Sequence, residues 1–202
     1  MIGIIDYGMG NLRSVEKALQ FLSFEVKVIK TPEEAQWCEK LILPGVGAFG
    51  DAIAAIREAG LDNAIYEAVG RGVPFLGICL GMQLMFDLSQ ENGLFEGLKL
   101  LPGRIVRIKA ASHEYKIPHM GWNSLDILKQ APLFDNVPQG AYVYFDHAYH
   151  LKTNEDIVSA CSEYGIAMQV AAQRGNLYGL QFHPEKSGEI GLRILANFGG
   201  LS

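Results

Sequence analysis

Through the first half of the chain, short apolar runs alternate with segments in which apolar residues recur every three or four positions. The runs predict strands at residues 1–8, 24–29, 40–45 and 73–79. The periodic segments predict helices at residues 11–22, 48–59, 61–69 and 82–88. A chain that alternates strand and helix in this way builds a parallel sheet and covers both faces of that sheet with helices.

The second half is richer in strand-like segments separated by Gly, Asn and Pro. These segments predict strands at residues 103–109, 141–151, 157–162, 166–173 and 177–182, a hairpin turn at 174–176 and a closing helix at 190–198. We find no internal repeat, linker or low-complexity stretch in the 202 residues. The prediction is therefore an α/β fold, in which residues 1–202 form a single flavodoxin-like domain. Its central sheet is largely parallel, with helices on both faces and an antiparallel flank.

Charge and composition exclude several classes of protein. The 17 Lys and Arg residues are outnumbered by 22 Asp and Glu and are scattered singly, which argues against a nucleic-acid partner. No apolar run approaches the ~20 residues of a membrane span, and the first residues lack the features of a signal peptide. Three distant cysteines favour a reducing, cytoplasmic location, and none has the spacing of metal ligands, so we expect no metal.

One predicted strand-to-helix turn presents a candidate nucleophile. Gly77 and Gly81 stand two residues to either side of Cys79, the spacing of a nucleophile elbow with Cys in place of Ser. Such a strained turn lifts the side chain out of the sheet, and its flanking positions must lack a Cβ atom. Free N–H groups at the start of the next helix favour the thiolate. The alternative interpretation is a buried structural cysteine.

A general base for this thiol is predicted near the other end of the chain. His183 and Glu185 are separated by Pro184, and alternate residues of an extended chain point the same way, ~7 Å apart. Glu185 can therefore hold one imidazole nitrogen while the other nitrogen faces the thiol. No other histidine of the chain has an acidic residue two positions away.

Acyl chemistry at a thiolate also needs hydrogen-bond donors for the oxyanion. The N–H of Leu80 is the natural first donor, and Val46, flanked by two glycines, can supply a second. A glycine pair at residues 8 and 10 suggests a dinucleotide fingerprint, but Arg13 occupies the place of its third glycine. We therefore predict no nucleotide cofactor, and no cofactor of any other kind.

Residues 77–83 (GICLGMQ) and 181–187 (QFHPEKS) resemble the class I glutamine amidotransferases, which use a Cys-His-Glu triad. Four further segments are similar to one branch of that family, the glutaminase subunits of imidazole glycerol phosphate synthases of histidine biosynthesis. They are residues 6–14 (DYGMGNLRS), 43–50 (LPGVGAFG), 118–123 (PHMGWN) and 144–149 (YFDHAY).

The resemblance implies hydrolysis of L-glutamine to L-glutamate and ammonia through a thioester on Cys79, with His183 moving protons and Glu185 orienting it. It also implies that backbone N–H groups of Val46 and Leu80 form the oxyanion hole, after the Val46 peptide has flipped. The residues implied to contact glutamine are Gly47, Gln83, Glu91 and Tyr144.

The resemblance further implies a heterodimer with a cyclase subunit of (β/α)8-barrel fold, to which the ammonia is channelled for synthesis of imidazole glycerol phosphate. The implied docking residues are Tyr7, Asn11, His119, Met120, Trp122 and Lys186. Met120 and Trp122 are predicted in a loop with little strand, and their types are common in binding hot spots. The alternative for Trp122 is packing in the core. The chain departs from the family at Asp146 and Ala148, which leaves the role of His147 open.

Two other functions remain open at this point. One is a glutaminase that serves a different ammonia acceptor, such as a pyridoxal phosphate synthase. The other is a non-enzymatic, flavodoxin-like protein in which Cys79 is a redox sensor. A sensor does not require the His183–Glu185 pair, and segment 118–123 argues against a different acceptor.

Overall fold

The computed structural model describes residues 1–109, 112 and 115–201. Its helices are α1 (Leu12–Phe21), α2 (Pro32–Ala35), α3 (Phe49–Glu58), α4 (Leu61–Gly70), α5 (Leu80–Leu84) and α6 (Gly188–Gly199). The strands of the first half are β1 (Ile2–Ile5), β2 (Val26–Ile29), β3 (Lys40–Gly45), β4 (Phe75–Cys79), β5 (Leu88–Ser89) and β6 (Phe95–Glu96). Those of the second half are β7 (Arg104–Arg107), β8 (His119–Ser124), β9 (Asp126–Ile127), β10 (Tyr142–His147), β11 (Tyr149–Lys152), β12 (Val158–Glu163), β13 (Ala167–Arg174) and β14 (Leu177–Leu180).

Five parallel strands, in the order β2-β1-β3-β4-β14, form the half of the main sheet that carries the elbow. β4 and β14 are buried along their whole length, as is typical of parallel strands covered on both faces. The register pairs Gly45, the last residue of β3, with Cys79, the last residue of β4. The loop after β3 and the turn after β4 therefore begin side by side at the carboxyl edge, where open α/β sheets bind ligands.

Helices cover both faces of this sheet. Leu19 of α1 and Ile194 of α6 lie in one buried apolar cluster, whereas Ile56 of α3 and Ile65 of α4 lie in the other. The first four predicted strands and the helices α1, α3, α4 and α6 occur within a few residues of their expected ends. The α/β fold class with helices on both faces is confirmed.

The antiparallel flank continues the same sheet through β13, β11, β7, β5 and β6, with β12 and β9 attached to β13. β13 and β14 form the predicted hairpin, with Gly175 and Asn176 as its two-residue turn. β8 and β10 form a separate antiparallel pair. This pair is called the small sheet below.

Three local predictions were wrong. The single strand expected at residues 141–151 is broken at Ala148 into β10 and β11, which belong to different sheets. The helix expected at residues 82–88 begins at Leu80 and already ends at Leu84, and Leu88 lies in β5. The segment at 118–123, expected to be a loop, forms strand β8 from His119 onwards. Among the described residues, no helix combines the length and the apolar character needed to cross a membrane.

Candidate active site

The turn that carries Cys79 is strained as the elbow requires. Cys79 has φ 55° and ψ −113°, a conformation that residues with a side chain rarely adopt. A Cβ atom at Gly77 would lie 2.6 Å from Sδ of Met85, and one at Gly81 would lie 1.7 Å from the carbonyl oxygen of Leu43. Only glycine fits at either position, so the predicted elbow geometry is confirmed.

His183 and Glu185 meet the thiol inside the protein. The Nδ1 of His183 lies 2.8 Å from Oε1 of Glu185, and the two side chains are 4% and 1% exposed. His183 lies close enough to Cys79 for the thiol to influence the charge of its ring. Because Nδ1 faces the carboxylate, Nε2 is the nitrogen that serves the thiol.

The environment of His183 favours its protonated form. Burial alone would lower its pKa, but the hydrogen bonds with Cys79 and Glu185, and the negative charges of both groups, raise the pKa to about 10. The protonated ring therefore stabilises the fold fully below its unfolded pKa of about 6.5, and this contribution is lost as the pH rises through about 10.

We expect this arrangement to be visible in an NMR titration of the His183 ring. The wild-type ring should stay protonated well above pH 6.5. Glu185→Gln should lower the pKa of His183 by at least about 1, because the amide oxygen can still accept the hydrogen bond from Nδ1–H but carries no charge. An identical titration in both proteins would contradict the assignment of Glu185 as an electrostatic partner. His150 provides an internal reference, because burial lowers its pKa and it lies away from Glu185 on β11.

A cavity of about 230 Å³ opens at the elbow. It is smaller than the ~300–1,000 Å³ of pockets for drug-sized ligands and suits a substrate of amino-acid size. Its lining residues are Val46, Gly47, Cys79, Leu80, Gln83, Glu91, Pro118, Asp146, His147, Ala148, Tyr149 and His183. Cavities of about 940 and 620 Å³ lie elsewhere on the molecule, and neither is lined by a cysteine.

Glu91 and Gln83 are held at the cavity wall by specific hydrogen bonds. The backbone N–H of Phe49, the first residue of α3, donates to Oε2 of Glu91 at 2.8 Å, and the helix dipole favours the carboxylate there. The Nε2 of Gln83 donates to Oε1 of Gln181 at 2.9 Å and to the carbonyl of Tyr149 at 3.2 Å. A carboxylate and an amide fixed in this way offer complementary contacts to an amino acid.

The two predicted oxyanion donors also lie at the cavity. Leu80 is the first residue of α5, and Val46 follows Gly45, the residue paired with Cys79. Gly47 has φ 103°, a left-handed conformation that suits glycine. The part played by the Val46 peptide stays a prediction.

Tyr144 lies outside the cavity lining. Its ring centroid is 6.1 Å from that of Trp122, and Nζ of Lys186 lies 5.6 Å from the same ring. Its backbone supports the triad instead, because its carbonyl accepts the N–H of His183 at 2.9 Å. Contact between the Tyr144 side chain and glutamine is a prediction that the geometry of this cavity does not favour.

The small sheet places an exposed apolar surface beside the cavity. Met120 and Trp122 are 61% and 55% exposed on one face of β8, and Tyr142 of β10 is 60% exposed. Trp122 is paired with Tyr144 across the two strands, so these side chains share a face. We call the exposed side chains of Met120, Trp122 and Tyr142 the docking face. The alternative in which Trp122 fills the core is wrong.

Two of the predicted docking residues are not exposed. Tyr7 and His119 are 7% and 2% exposed, so their side chains lie behind the surface and the prediction is corrected for both. The ring of Tyr7 reaches Gly45, where an added Cβ would lie 2.6 Å from the hydroxyl, and burial and the charge of Cys79 raise its pKa. Asn11 is half-buried at the start of α1, and Lys186 is exposed.

Sequence reasoning missed two supporting residues within the motif at 181–187. The Nε2 of Gln181 lies 3.8 Å from Sγ of Cys79, and Oγ of Ser187 donates to the carbonyl of His183 at 2.6 Å. A polar residue two positions before the histidine and a hydroxyl four positions after it were the available signals. Among the described residues, no group of His, Cys, Asp and Glu side chains is arranged to hold a metal ion.

Comparison with known proteins agrees with this geometry. The model of the family "Glutamine amidotransferase class-I" matches residues 3–199. Imidazole glycerol phosphate synthase subunit HisH of Geobacillus sp. is 54% identical over 205 residues, covering 100% of this chain and 97% of that protein. The protein of the same name from Caldanaerobacter subterraneus is 51% identical over 200 residues, covering 98% and 97%.

Solved structures share the fold at low identity. A crystal structure of a glutamine amidotransferase has a TM-score of 0.76 at 20% identity and covers 99% of both chains. The structure of PurLQS from Thermotoga maritima has a TM-score of 0.76 at 20% identity and covers 98% of this chain and 96% of that one.

Proposed function

We propose that this chain, which belongs to the class I glutamine amidotransferase family, is a glutaminase. The ammonia that it produces is proposed to serve a cyclase partner in the synthesis of imidazole glycerol phosphate. The observation that carries the activity is the strained Cys79 at the cavity, joined to the buried His183–Glu185 pair. The pathway is supported by relatives that are more than half identical over nearly the whole chain. Residues 1–202 are proposed to act as one amidotransferase domain.

The chemistry follows from the positions of the three side chains. The thiolate of Cys79 attacks the carboxamide carbon of glutamine, and the N–H groups of Leu80 and Val46 receive the oxyanion. Nε2 of His183 gives its proton to the leaving nitrogen, ammonia departs and a γ-glutamyl thioester remains. Water then attacks the thioester and gives its proton to Nε2. The thiolate leaves, and glutamate is formed.

Glu185 stays ionised throughout this sequence. Its carboxylate accepts the hydrogen bond from Nδ1–H and stabilises the imidazolium that exists before attack and again after water has been activated. Glu91 is proposed to bind the ammonium group of glutamine, and Gln83 its polar atoms, because both are held at the cavity wall. Water is the only co-reactant, so neither a cofactor nor a metal is invoked.

We further propose that the docking face receives the cyclase, a (β/α)8 barrel, to form a heterodimer. Exposed Met, Trp and Tyr side chains on one rigid strand pair are the residue types that dominate protein interfaces. The docking face lies on β8 and β10, and the cavity is lined by Pro118, just before β8, and by Asp146 and His147 at the end of β10. A partner bound there is therefore beside the site where ammonia is released. The proposed location of this complex is the cytoplasm.

The decisive experiment measures glutamate release from glutamine while the cyclase concentration is raised. Trp122→Ala should raise the cyclase concentration for half-maximal activity at least about tenfold, since an exposed hot-spot tryptophan contributes about 2 kcal/mol or more. Trp37→Ala is the matched control, because Trp37 is 78% exposed and precedes β3, at the opposite edge of the sheet from the elbow. That variant should shift the concentration less than about twofold.

Two results would count against these proposals. Absence of glutamate release at every cyclase concentration would contradict the glutaminase activity. Equal shifts in Trp122→Ala and Trp37→Ala would contradict the proposal that the docking face binds the cyclase, and the proposed glutaminase activity would be unaffected. Unfolding temperatures of both variants close to that of the wild type would show that neither result comes from loss of the fold.

A further inference from the structure

Two buried histidines that take no part in the triad are joined beside the cavity. The Nδ1 of His119 lies 3.0 Å from Nε2 of His147, and the residues are 2% and 5% exposed. Nε2 of His119 lies 3.3 Å from Nδ2 of Asn123, and Nδ1 of His147 lies 2.8 Å from the carbonyl oxygen of Tyr149. We call the chain Asn123–His119–His147–Tyr149 the histidine relay.

The groups at the two ends of the histidine relay determine which atom donates in each of its hydrogen bonds. The Oδ1 of Asn123 accepts from the N–H of Ser124 at 2.8 Å, and its Nδ2 donates to the carbonyl of Glu163 at 2.8 Å. This amide must therefore donate to His119, whose Nδ1–H then donates to His147. At the far end, the carbonyl of Tyr149 can only accept, so Nδ1 of His147 carries its proton.

The same logic requires both rings to be neutral. A second proton on His147 would place two N–H groups against each other between the rings, and a second proton on His119 would face the amide of Asn123. Burial acts in the same sense, because it lowers the pKa of His119 to about 4 and that of His147 to about 3.

The relay ends on the segment that forms one wall of the cavity. Residues 146–149 all line it, and the chain passes there from β10 to β11 with a break at Ala148. The carbonyl of Asp146 lies 3.9 Å from Sγ of Cys79, and the carbonyl of Tyr149 also accepts from Gln83. Segment 146–149 therefore contacts Cys79 at its first residue and Gln83, a predicted glutamine contact, at its last residue.

We propose that His119 and His147 are positioning residues, which hold residues 146–149 in the shape that binds glutamine against Cys79. This inference rests on the proposed glutaminase function and assigns it two residues outside the triad. The hydrogen bond from His147 fixes the Tyr149 carbonyl, which in turn orients the amide of Gln83. His119 and Asn123 fix the tautomer of His147, without which that donor is lost.

The test uses the full chain and a chloroketone analogue of glutamine that alkylates Cys79, with the product followed by mass spectrometry. His147→Phe keeps an aromatic ring but removes the donor, and it should raise the half-saturating analogue concentration at least about tenfold. His147→Asn keeps a donor where Nδ1 stood, so most of the affinity should return. Alkylation by iodoacetamide, which needs no glutamine site, should change less than about twofold in both variants.

Asn123→Ala gives a second reading that does not depend on the folding of the His147 variants. Asn123 is half-buried and lies outside the cavity lining, and its removal should raise the half-saturating concentration about threefold. Unchanged half-saturation in both His147→Phe and Asn123→Ala would overturn the proposal. A loss in His147→Phe that Asn does not restore would also overturn it, because packing alone would then be responsible. Failure of the wild-type chain to react with the analogue faster than with iodoacetamide would instead contradict the glutaminase function.

Discussion

Cys79→Ala is expected to lower glutamine hydrolysis at least about 10⁴-fold while the fold is retained. No other described side chain at the cavity can form the thioester, because Cys79 is the only cysteine or hydroxyl-bearing residue there apart from the Tyr149 phenol. Alanine is small enough for the strained turn and keeps the apolar contacts of β4. Glutamate release in the presence of the cyclase measures the loss directly.

Cys161→Ala is the matched control for this variant. Cys161 is half-buried on β12, and burial raises the pKa of its thiol. Its replacement should leave turnover within about twofold of the wild type. Glutamate release by Cys79→Ala at more than about one-tenth of the wild-type rate would show that another group is the nucleophile.

Gly81→Ala is expected to destabilise the protein by more than about 4 kcal/mol or to prevent folding. The added Cβ would lie 1.7 Å from the carbonyl oxygen of Leu43, which belongs to the interior of β3 and cannot rotate away. Relief would require α5 to move off the sheet, which would also displace Cys79. Thermal or denaturant unfolding of the purified variant measures the effect.

Gly70→Ala provides the control for a glycine without such a contact. Gly70 ends α4, and a Cβ atom there would meet nothing within 4 Å. Alanine favours the helix, so this variant should be neutral or more stable by up to about 1 kcal/mol. Similar unfolding temperatures for Gly81→Ala and Gly70→Ala would contradict the close packing of α5 on β3.

The parallel half of the fold and the elbow could be predicted because their signals are local. Most strands there are continuous apolar runs, and Gly77 and Gly81 stand at a fixed spacing around Cys79. Strand β8 could not be recognised in the same way. Its inward positions are His119, Gly121 and Asn123, so the strand lacks the apolar alternation that identifies a half-buried strand.

The triad was predictable for a similar reason, and the relay was not. His183 and Glu185 are two residues apart, so their pairing could be expected from the local sequence. The backbone differs from the prediction, because Pro184–Lys186 form a short 3-10 helix instead of an extended chain. His119 and His147 are joined only when β8 pairs with β10, a contact that spans 28 residues of the chain. Both rings are buried because these strands pair, and no local sequence pattern indicates that pairing. Tyr7, a docking residue implied by the family resemblance, is buried by a different long-range contact, in which its ring reaches Gly45.

Strand β8 turns its even-numbered side chains, Met120 and Trp122, to solvent and its odd-numbered ones, His119 and Asn123, toward the cavity wall. The proposed docking face can therefore be altered at Met120, Trp122 and Tyr142 without changing the inward-facing side chains of β8. A subunit that recognises a different partner would be built by altering these outward-facing side chains. The inward-facing side chains His119 and Asn123, which we propose to support the glutamine cavity, would be kept.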